Sequence, residues 1–287
     1  MLGFPTIEPA ASPLLATVDL AVGHRHATVV RNVNLALRAG SFTAVLGSNG
    51  CGKSTLLRTM AGLQPAKSGV VEVAGAPLGD HSVRELAHLV SFLPQSPLVP
   101  AGVSVRELVT HGRHPHRRLV GALTAADRAA IDTALDDTGL DDMADRSVEH
   151  LSGGERQRCW VALALAQQAR VVLLDEPTTY LDIRHQLEVL AILRRLADDQ
   201  QLAVVAVLHD LDQAATFADR LIVIADGAVA ADGAPLDVLT PDLVRSAFGV
   251  DADIGIDPRT GAPVCRFRLP LPATVASDSS RSPDPAT

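Results

Sequence analysis

Aromatic residues are scarce in this sequence: they make up 3% of the chain, with one Trp, one Tyr and six Phe. Aliphatic side chains must fill the core, and the 47% apolar share allows that. Cysteine is nearly absent. Cys51, Cys159 and Cys265 are too few and too scattered for a disulfide framework or a metal cluster, and they suit a reducing compartment. Positive charge is in deficit: 25 Lys and Arg against 33 Asp and Glu leave a net −8. That argues against a chain whose main task is neutralising nucleic-acid phosphates. No apolar run approaches the roughly 18 residues of a spanning helix; runs such as 171–174 and 202–208 are strand-sized. Residues 1–13 lack the basic start and long apolar stretch of a signal peptide. Together these absences predict a soluble chain whose membrane role, if any, comes through a partner.

With 287 residues the chain can bury one sizeable core. Residues 1–13 are Pro- and Ala-rich and read as a flexible lead, and 273–287 are Ser/Pro/Asp-rich and read as a disordered tail. Residues 14–272 read as the folded domain. Apolar runs at 42–46, 89–93, 171–174, 203–208 and 221–225 predict buried strands. Leu56, Leu57, Met60 and Leu63 fall at helical spacing after a glycine-rich turn. Strand, glycine-rich loop and helix in that order predict an α/β fold with a largely parallel sheet. Residues 14–20, 29–37 and 70–73 read as antiparallel strands, with turn signals at Val22-Gly23 and Gly75. Helical patterns at 105–111 and 125–138 predict an inserted α-helical subdomain at about 97–155.

The strongest local signal is Gly47-Ser48-Asn49-Gly50-Cys51-Gly52-Lys53-Ser54-Thr55. Its glycines let successive N–H groups turn inward as an anion nest, and the helix N-terminus adds its positive end. Lys53 would reach the β- and γ-phosphates of a nucleotide, and Ser54 would ligate Mg²⁺. The expected core is therefore that of a P-loop NTPase (RecA-like), with an N-terminal antiparallel β subdomain. At the end of the apolar run 171–174, Asp175 and Glu176 emerge where open α/β sheets bind ligands. Asp175 is the candidate for holding Mg²⁺ through a water. Glu176 is the candidate base or water-orienting group for attack on the γ-phosphate. An acidic pair at a strand end is common and weak alone; the phosphate loop gives it meaning.

The run Leu151-Ser152-Gly153-Gly154-Glu155-Arg156-Gln157-Arg158 opens a second helix, and Ser and Gly there are ordinary capping residues. In this context it resembles the signature of the ATP-binding cassette (ABC) family. Other motifs resemble that family in order and spacing: Gln95 its Q-loop glutamine, Tyr180-Leu181-Asp182 its D-loop, and His209 its switch histidine. The resemblance covers about residues 14–271. It implies that Glu176, His209 and Gln95 are catalytic, and that Ser54, Gln95 and Asp175 serve Mg²⁺. It implies a head-to-tail homodimer, each ATP lying between one chain's phosphate loop and the other's Ser152, Gly153, Gly154 and Glu155, with Asp182 crossing the interface. A membrane permease is the implied direct partner and an extracytoplasmic substrate-binding protein an indirect one. Nucleic acid is not expected. The implied location is peripheral, on the cytoplasmic face of the cell membrane. The family's adenine-stacking aromatic is replaced by His24, whose imidazole offers less area. Cys51 implies sensitivity to thiol reagents, with ATP protecting.

The run from Asp175 to Gln186 resembles the cassettes of ferric siderophore, haem and cobalamin importers. So do Gly112-Arg113-His114-Pro115-His116, Ser147-Val148-Glu149-His150, and the C-terminal stretch from Gly233 through Phe248-Gly249-Val250 to Pro263. A ferric siderophore is the expected cargo, with haem, cobalamin or another importer cargo as alternatives. His111, His114 and His116 could suggest iron binding by this chain. The neighbouring Arg113, Arg117 and Arg118 favour a solvated or permease-facing surface. A non-transport ABC ATPase and a non-hydrolysing regulatory module stay open. Lys53 and Ser152 stand 99 positions apart without sustained heptads, unlike chromosome-type cassettes, and Gln95, Glu176 and His209 speak against a dead site.

Overall fold

The computed structural model describes residues 12–24, 27–97, 101–117 and 122–269. Most of the expected lead (1–11) and all of the expected tail (273–287) lie outside the described residues. The chain runs β1 (Leu15–His24), β2 (Ala27–Leu37), β3 (Ser41–Gly47), α1 (Lys53–Met60), β4 (Ser68–Val73), β5 (Ala76–Pro77), α2 (Val83–Leu89) and β6 (Val90–Leu93). Then come α3 (Val105–Thr110), α4 (Ala125–Asp137), α5 (Gly153–Ala166), β7 (Val171–Leu174), α6 (Ile183–Gln200), β8 (Ala203–Val207) and α7 (Leu211–Phe217). The chain continues through β9 (Arg220–Ala225), β10 (Ala228–Gly233), α8 (Pro235–Val238), α9 (Pro241–Phe248), β11 (Asp251–Ile256) and β12 (Pro263–Arg268).

Six strands form the central sheet in the order β10-β9-β3-β8-β7-β6. Five are parallel, and β10 closes one edge antiparallel to β9. The alternation of strand side chains divides the interior into two clusters. Phe42, Ala44 and Leu46 of β3, Val172 and Leu174 of β7, and Val204 and Ala206 of β8 face the helices α3 to α7. Val45, Leu173, Val205 and Val207 face the other way, onto α1 and the antiparallel sheet β2-β1-β4-β5. Every expected strand exists, although Leu89 belongs to the end of α2, a helix the apolar pattern alone did not predict.

Four helices open on the same device. Ser82/Glu85, Ser104/Glu107, Thr124/Asp127 and Ser152/Glu155 form capping boxes, each satisfying N–H groups that a helix start leaves without partners. The side chain of α5 residue Trp160 joins Leu108, Leu135 and Leu140 in the cluster that also covers the sheet. Consequently α3, α4 and α5 share a core with the strands that carry the candidate site.

Two expectations are corrected. Val22-Gly23 is not a turn: Val22 pairs with Val30 and Gly23 with Thr28 inside the β1–β2 ladder. The glycine serves a close approach, since a Cβ there would stand 2.0 Å from the Ala27 carbonyl oxygen. Arg113 is not on a solvated surface either. It is 3% exposed, and its guanidinium meets Asp127 at 3.0 Å while Nη1 donates to the Ala166 carbonyl at 2.6 Å and to Gln168 at 2.8 Å.

The partner of that guanidinium has a depressed pKa. Donation from the Thr124 hydroxyl and N–H, then Arg113, holds the Asp127 carboxyl down at about 2, against an ordinary 3.8. A depressed carboxyl contributes stability that is complete above the ordinary pKa and is lost as pH falls through the folded one. Asp127→Asn is therefore expected to destabilise the chain by about 3–5 kcal/mol near neutral pH, because Arg113 is left buried without a counter-charge. Urea unfolding of parent and variant should show that gap narrowing as pH falls below 3.8 toward about 2. A gap independent of pH over that range would contradict the assignment.

Candidate nucleotide site

The site gathers at the C-terminal ends of four neighbouring parallel strands, β3, β8, β7 and β6. The loop between β3 and α1 needs its glycines. Gly47 sits at φ 148 and Gly52, the N-cap of α1, at φ 107, and a Cβ on Gly47 would lie 2.3 Å from the Ile224 carbonyl oxygen. Lys53, 5% exposed at the first turn of α1, donates from Nζ to the carbonyls of Gly47 at 2.8 Å and Ser48 at 2.9 Å. A buried ammonium thus lies across the mouth of the loop formed by Ser48, Asn49, Gly50 and Cys51. Cys51 is half-buried, with its sulfur 4.0 Å from Nζ. His24, exposed at the end of β1, sets Nε2 3.3 Å from the Thr55 hydroxyl.

The loop is joined to β7 across β8. Ser54 Oγ donates to Asp175 Oδ1 at 2.7 Å. Asp175 is 1% exposed, and burial pushes its carboxyl pKa up, opposed by the Ser54 hydroxyl and by Arg58, whose Nη2 stands 3.9 Å from Oδ2. That Oδ2 is buried and has no hydrogen-bond partner among the described residues. An orphaned carboxylate oxygen beside a serine hydroxyl is a hard-oxygen donor set of the kind Mg²⁺ takes. The residues therefore fit the ion.

Glu176 follows at φ 55, a left-handed conformation costing about 1–2 kcal/mol for a residue with a Cβ. Its carboxylate is held from three sides. Oε1 meets His209 Nε2 at 2.8 Å; Oε2 accepts from Gln95 Nε2 at 2.5 Å and from the Thr179 hydroxyl at 2.9 Å. Gln95 comes from the end of β6 and His209 from the end of β8, so sheet order brings together three residues far apart in sequence.

The remaining expected residues form a second group. Ser152 caps α5, its N–H donating to Glu155 Oε2 at 2.7 Å, and Glu155 also faces Arg146 at 3.8 Å. The Ser152 N–H and hydroxyl hold the Glu155 carboxyl below its usual range. Gly154 backs onto the ring of His185, since a Cβ would stand 2.1 Å from Cδ2, while a Cβ on Gly153 would meet Leu181 at 3.7 Å. Asp182 caps α6 and accepts from the N–H and Nδ1 of the same His185 at 3.0 and 2.8 Å. Among the described residues, no side-chain hydrogen bond or ion pair joins this group to the phosphate loop or to Asp175, Glu176 and His209. Sequence reasoning missed Arg58 and assigned no individual role to Thr179 and His185, which lie within the run 175–186. Only Arg58, one helical turn beyond Ser54, carried a positional signal.

Strand, phosphate loop and helix, with a carboxylate pair two strands away in one parallel sheet, define a P-loop NTPase. The family profile for ABC transporters matches residues 30–179. The iron(3+)-hydroxamate import ATP-binding protein FhuC of Bacillus subtilis is 43% identical over 88% of this chain and 93% of its own length. The cobalamin import ATP-binding protein BtuD of Halobacterium salinarum is 46% identical over 88% of this chain and 63% of its own. Among solved structures, an ABC transporter assigned to the metal-chelate type, in an inward-facing conformation, superposes with TM-score 0.77 at 29% identity, covering 91% of this chain and 98% of the other. The dimeric bacterial ABC transporter cassette MJ0796 gives 0.67 at 26% identity over 77% and 98%. The chain belongs to the ABC transporter family, as its ATP-hydrolysing cassette.

Proposed function

We propose that this cassette powers import of a ferric siderophore through a separate membrane permease, working as a head-to-tail homodimer. The carrying observation is the Glu176 carboxylate held by His209, Gln95 and Thr179 beside a phosphate loop. In this reading Lys53 leaves the loop carbonyls for the β- and γ-phosphates, and Gly47, Gly50 and Gly52 let N–H groups face them. Glu176 takes the proton of the attacking water, oriented by the Gln95 amide and the His209 imidazole. Mg²⁺, held by Ser54, Asp175 and the Gln95 carbonyl oxygen, would supply positive charge at the phosphates.

The split between the two residue groups supports the dimer. Ser152, Gly153 and Gly154 make a helix start suited to a phosphate, yet they share no bond with this chain's own phosphate loop, so they serve the partner's ATP. Tyr180, in the loop before α6, and Ile183 and Leu187, one turn apart on α6, are exposed on either side of Asp182 in the sequence, apolar surface that a second copy would cover. No helix among the described residues is long and apolar enough to cross a membrane. An open groove of about 620 Å³ between α3 and α4, where Val103, Leu123 and Ile131 lie among the charged Arg106, Glu107 and Arg128, supports docking of a permease loop there. The iron(3+)-hydroxamate relative FhuC, matched over 93% of its own length, supports iron as cargo, and the BtuD relative, 46% identical over 88% of this chain, supplies cobalamin as the second reading.

The test is uptake of radiolabelled iron in a strain carrying Glu176→Gln at the native locus. Loss of uptake from one class of ferric siderophore, restored by the parent gene, is the expected result. Unchanged iron uptake alongside lost cobalamin uptake would overturn the cargo in favour of the second reading.

A further inference from the structure

The segment between Glu176 and Asp182 is tied down by side chains to which the sequence motifs assign no role. Gln186, half-buried on the first turn of α6, donates from Nε2 to the carbonyls of Leu181 at 3.1 Å and Thr178 at 3.4 Å. Its Oε1 accepts from Gln213 Nε2 at 2.7 Å. Gln213 lies on the first turn of α7, and its own N–H donates to Asp210 Oδ1 at 2.9 Å. Asp210 directly follows His209 and caps that helix. On its far side α7 is anchored as well, because Asp212 Oδ1 accepts the Cys265 N–H of β12 at 2.8 Å.

These bonds close a circuit. Glu176 meets His209; the His209 loop is capped onto α7; α7 reaches α6 through the Gln213–Gln186 pair; and Gln186 holds the segment whose Thr179 hydroxyl returns to Glu176. A glutamine amide is both donor and acceptor with a fixed separation between them, so two in series pass a displacement of one loop to the other.

We infer that Gln186 and Gln213 are positioning residues coupling the γ-phosphate-facing loop of His209 to the partner-facing loop of Asp182. This inference rests on the proposed roles of Glu176, His209 and Asp182. When the His209 loop shifts on nucleotide, the pair carries that shift to the loop that meets the second copy. Hydrolysis at one site then reports to the other through this chain's own amides. The plain alternative is that the amides only staple α6 to α7, which would affect stability and not turnover.

The experiment uses the full-length chain. Gln213→Met removes the donor at similar shape. Gln186→Glu keeps the acceptor for Gln213 and loses donation to the Thr178 and Leu181 carbonyls. Each is expected to lower kcat by about five- to tenfold with KM for ATP within about twofold, and the double variant should fall no further than the worse single one, the signature of coupled sites. Parental kcat in all three would overturn the inference, as would losses that multiply in the double variant and track a falling unfolding midpoint. Glu176→Gln run in parallel separates the two levels. If that chain hydrolyses ATP at the parental rate, the reading of the site fails. If it is blocked while the glutamine variants turn over normally, only the coupling fails.

Discussion

Glu176→Gln should lower the turnover of ATP by about 10²–10³-fold while leaving its binding close to parental. The substitution keeps the shape of a side chain that meets His209 at 2.8 Å and Gln95 at 2.5 Å, but removes the atom able to take a proton. Lys53, Ser54 and the loop N–H groups, which carry the phosphate contacts, are untouched. Nucleotide therefore still drives two cassettes together, and the usual exit, cleavage of the γ-phosphate, is blocked. Size-exclusion chromatography with and without ATP should show the variant shifting from monomer to a persistent dimer, and single-turnover kinetics should show the slow step to be chemistry. Hydrolysis at the parental rate would remove Glu176 from the role of base and return it to a structural partner of His209.

Lys53→Ala and Ser152→Arg should each abolish turnover alone, yet partly rescue one another when mixed. Lys53→Ala removes a buried ammonium whose hydrogen-bond partners among the described residues are loop carbonyls and a thiol, and nucleotide binding falls with it. Ser152→Arg places a bulky cation at the start of α5, whose side chains make no bond to this chain's own loop among the described residues, so the isolated chain is expected still to bind nucleotide. In a head-to-tail dimer of one chain of each kind, both lesions fall in the same composite site and the other site is intact. Random mixing makes half the dimers mixed, each with one working site, so about a quarter of parental activity is expected. No rescue, together with lost nucleotide binding by isolated Ser152→Arg chains, would place Ser152 in its own chain's site.

The phosphate loop, the carboxylate pair at the end of β7 and the strands of the central sheet were all legible in advance because they are local. A glycine-rich turn between strand and helix, a period of two in buried strands and a serine three residues before a glutamate each express themselves within a few neighbours. The short α2 shows the limit. Its Ser82/Glu85 capping box was present in the sequence, but seven residues, none of them buried, are too short a run to show an apolar stripe.

Long-range partners decided the rest. Arg113 sits in a stretch rich in arginine and histidine and reads as surface until Asp127 and the Ala166 carbonyl, 14 and 53 positions away, are brought to it. Gln186 and Gln213 show no local sign of pairing until α6 and α7 lie side by side, whereas Thr179 reaches Glu176 from only three positions away. By itself, then, the sequence determined the nucleotide chemistry and the class of fold, because their motifs are contiguous and their geometry follows from backbone and cap. Tertiary structure alone decided that Gln95 and His209 hold Glu176, which glutamines link its loop to that of His209, and that Ser152 and Glu155 bond each other and not their own chain's phosphate loop. Those follow from strand order and helix packing, which no local pattern encodes.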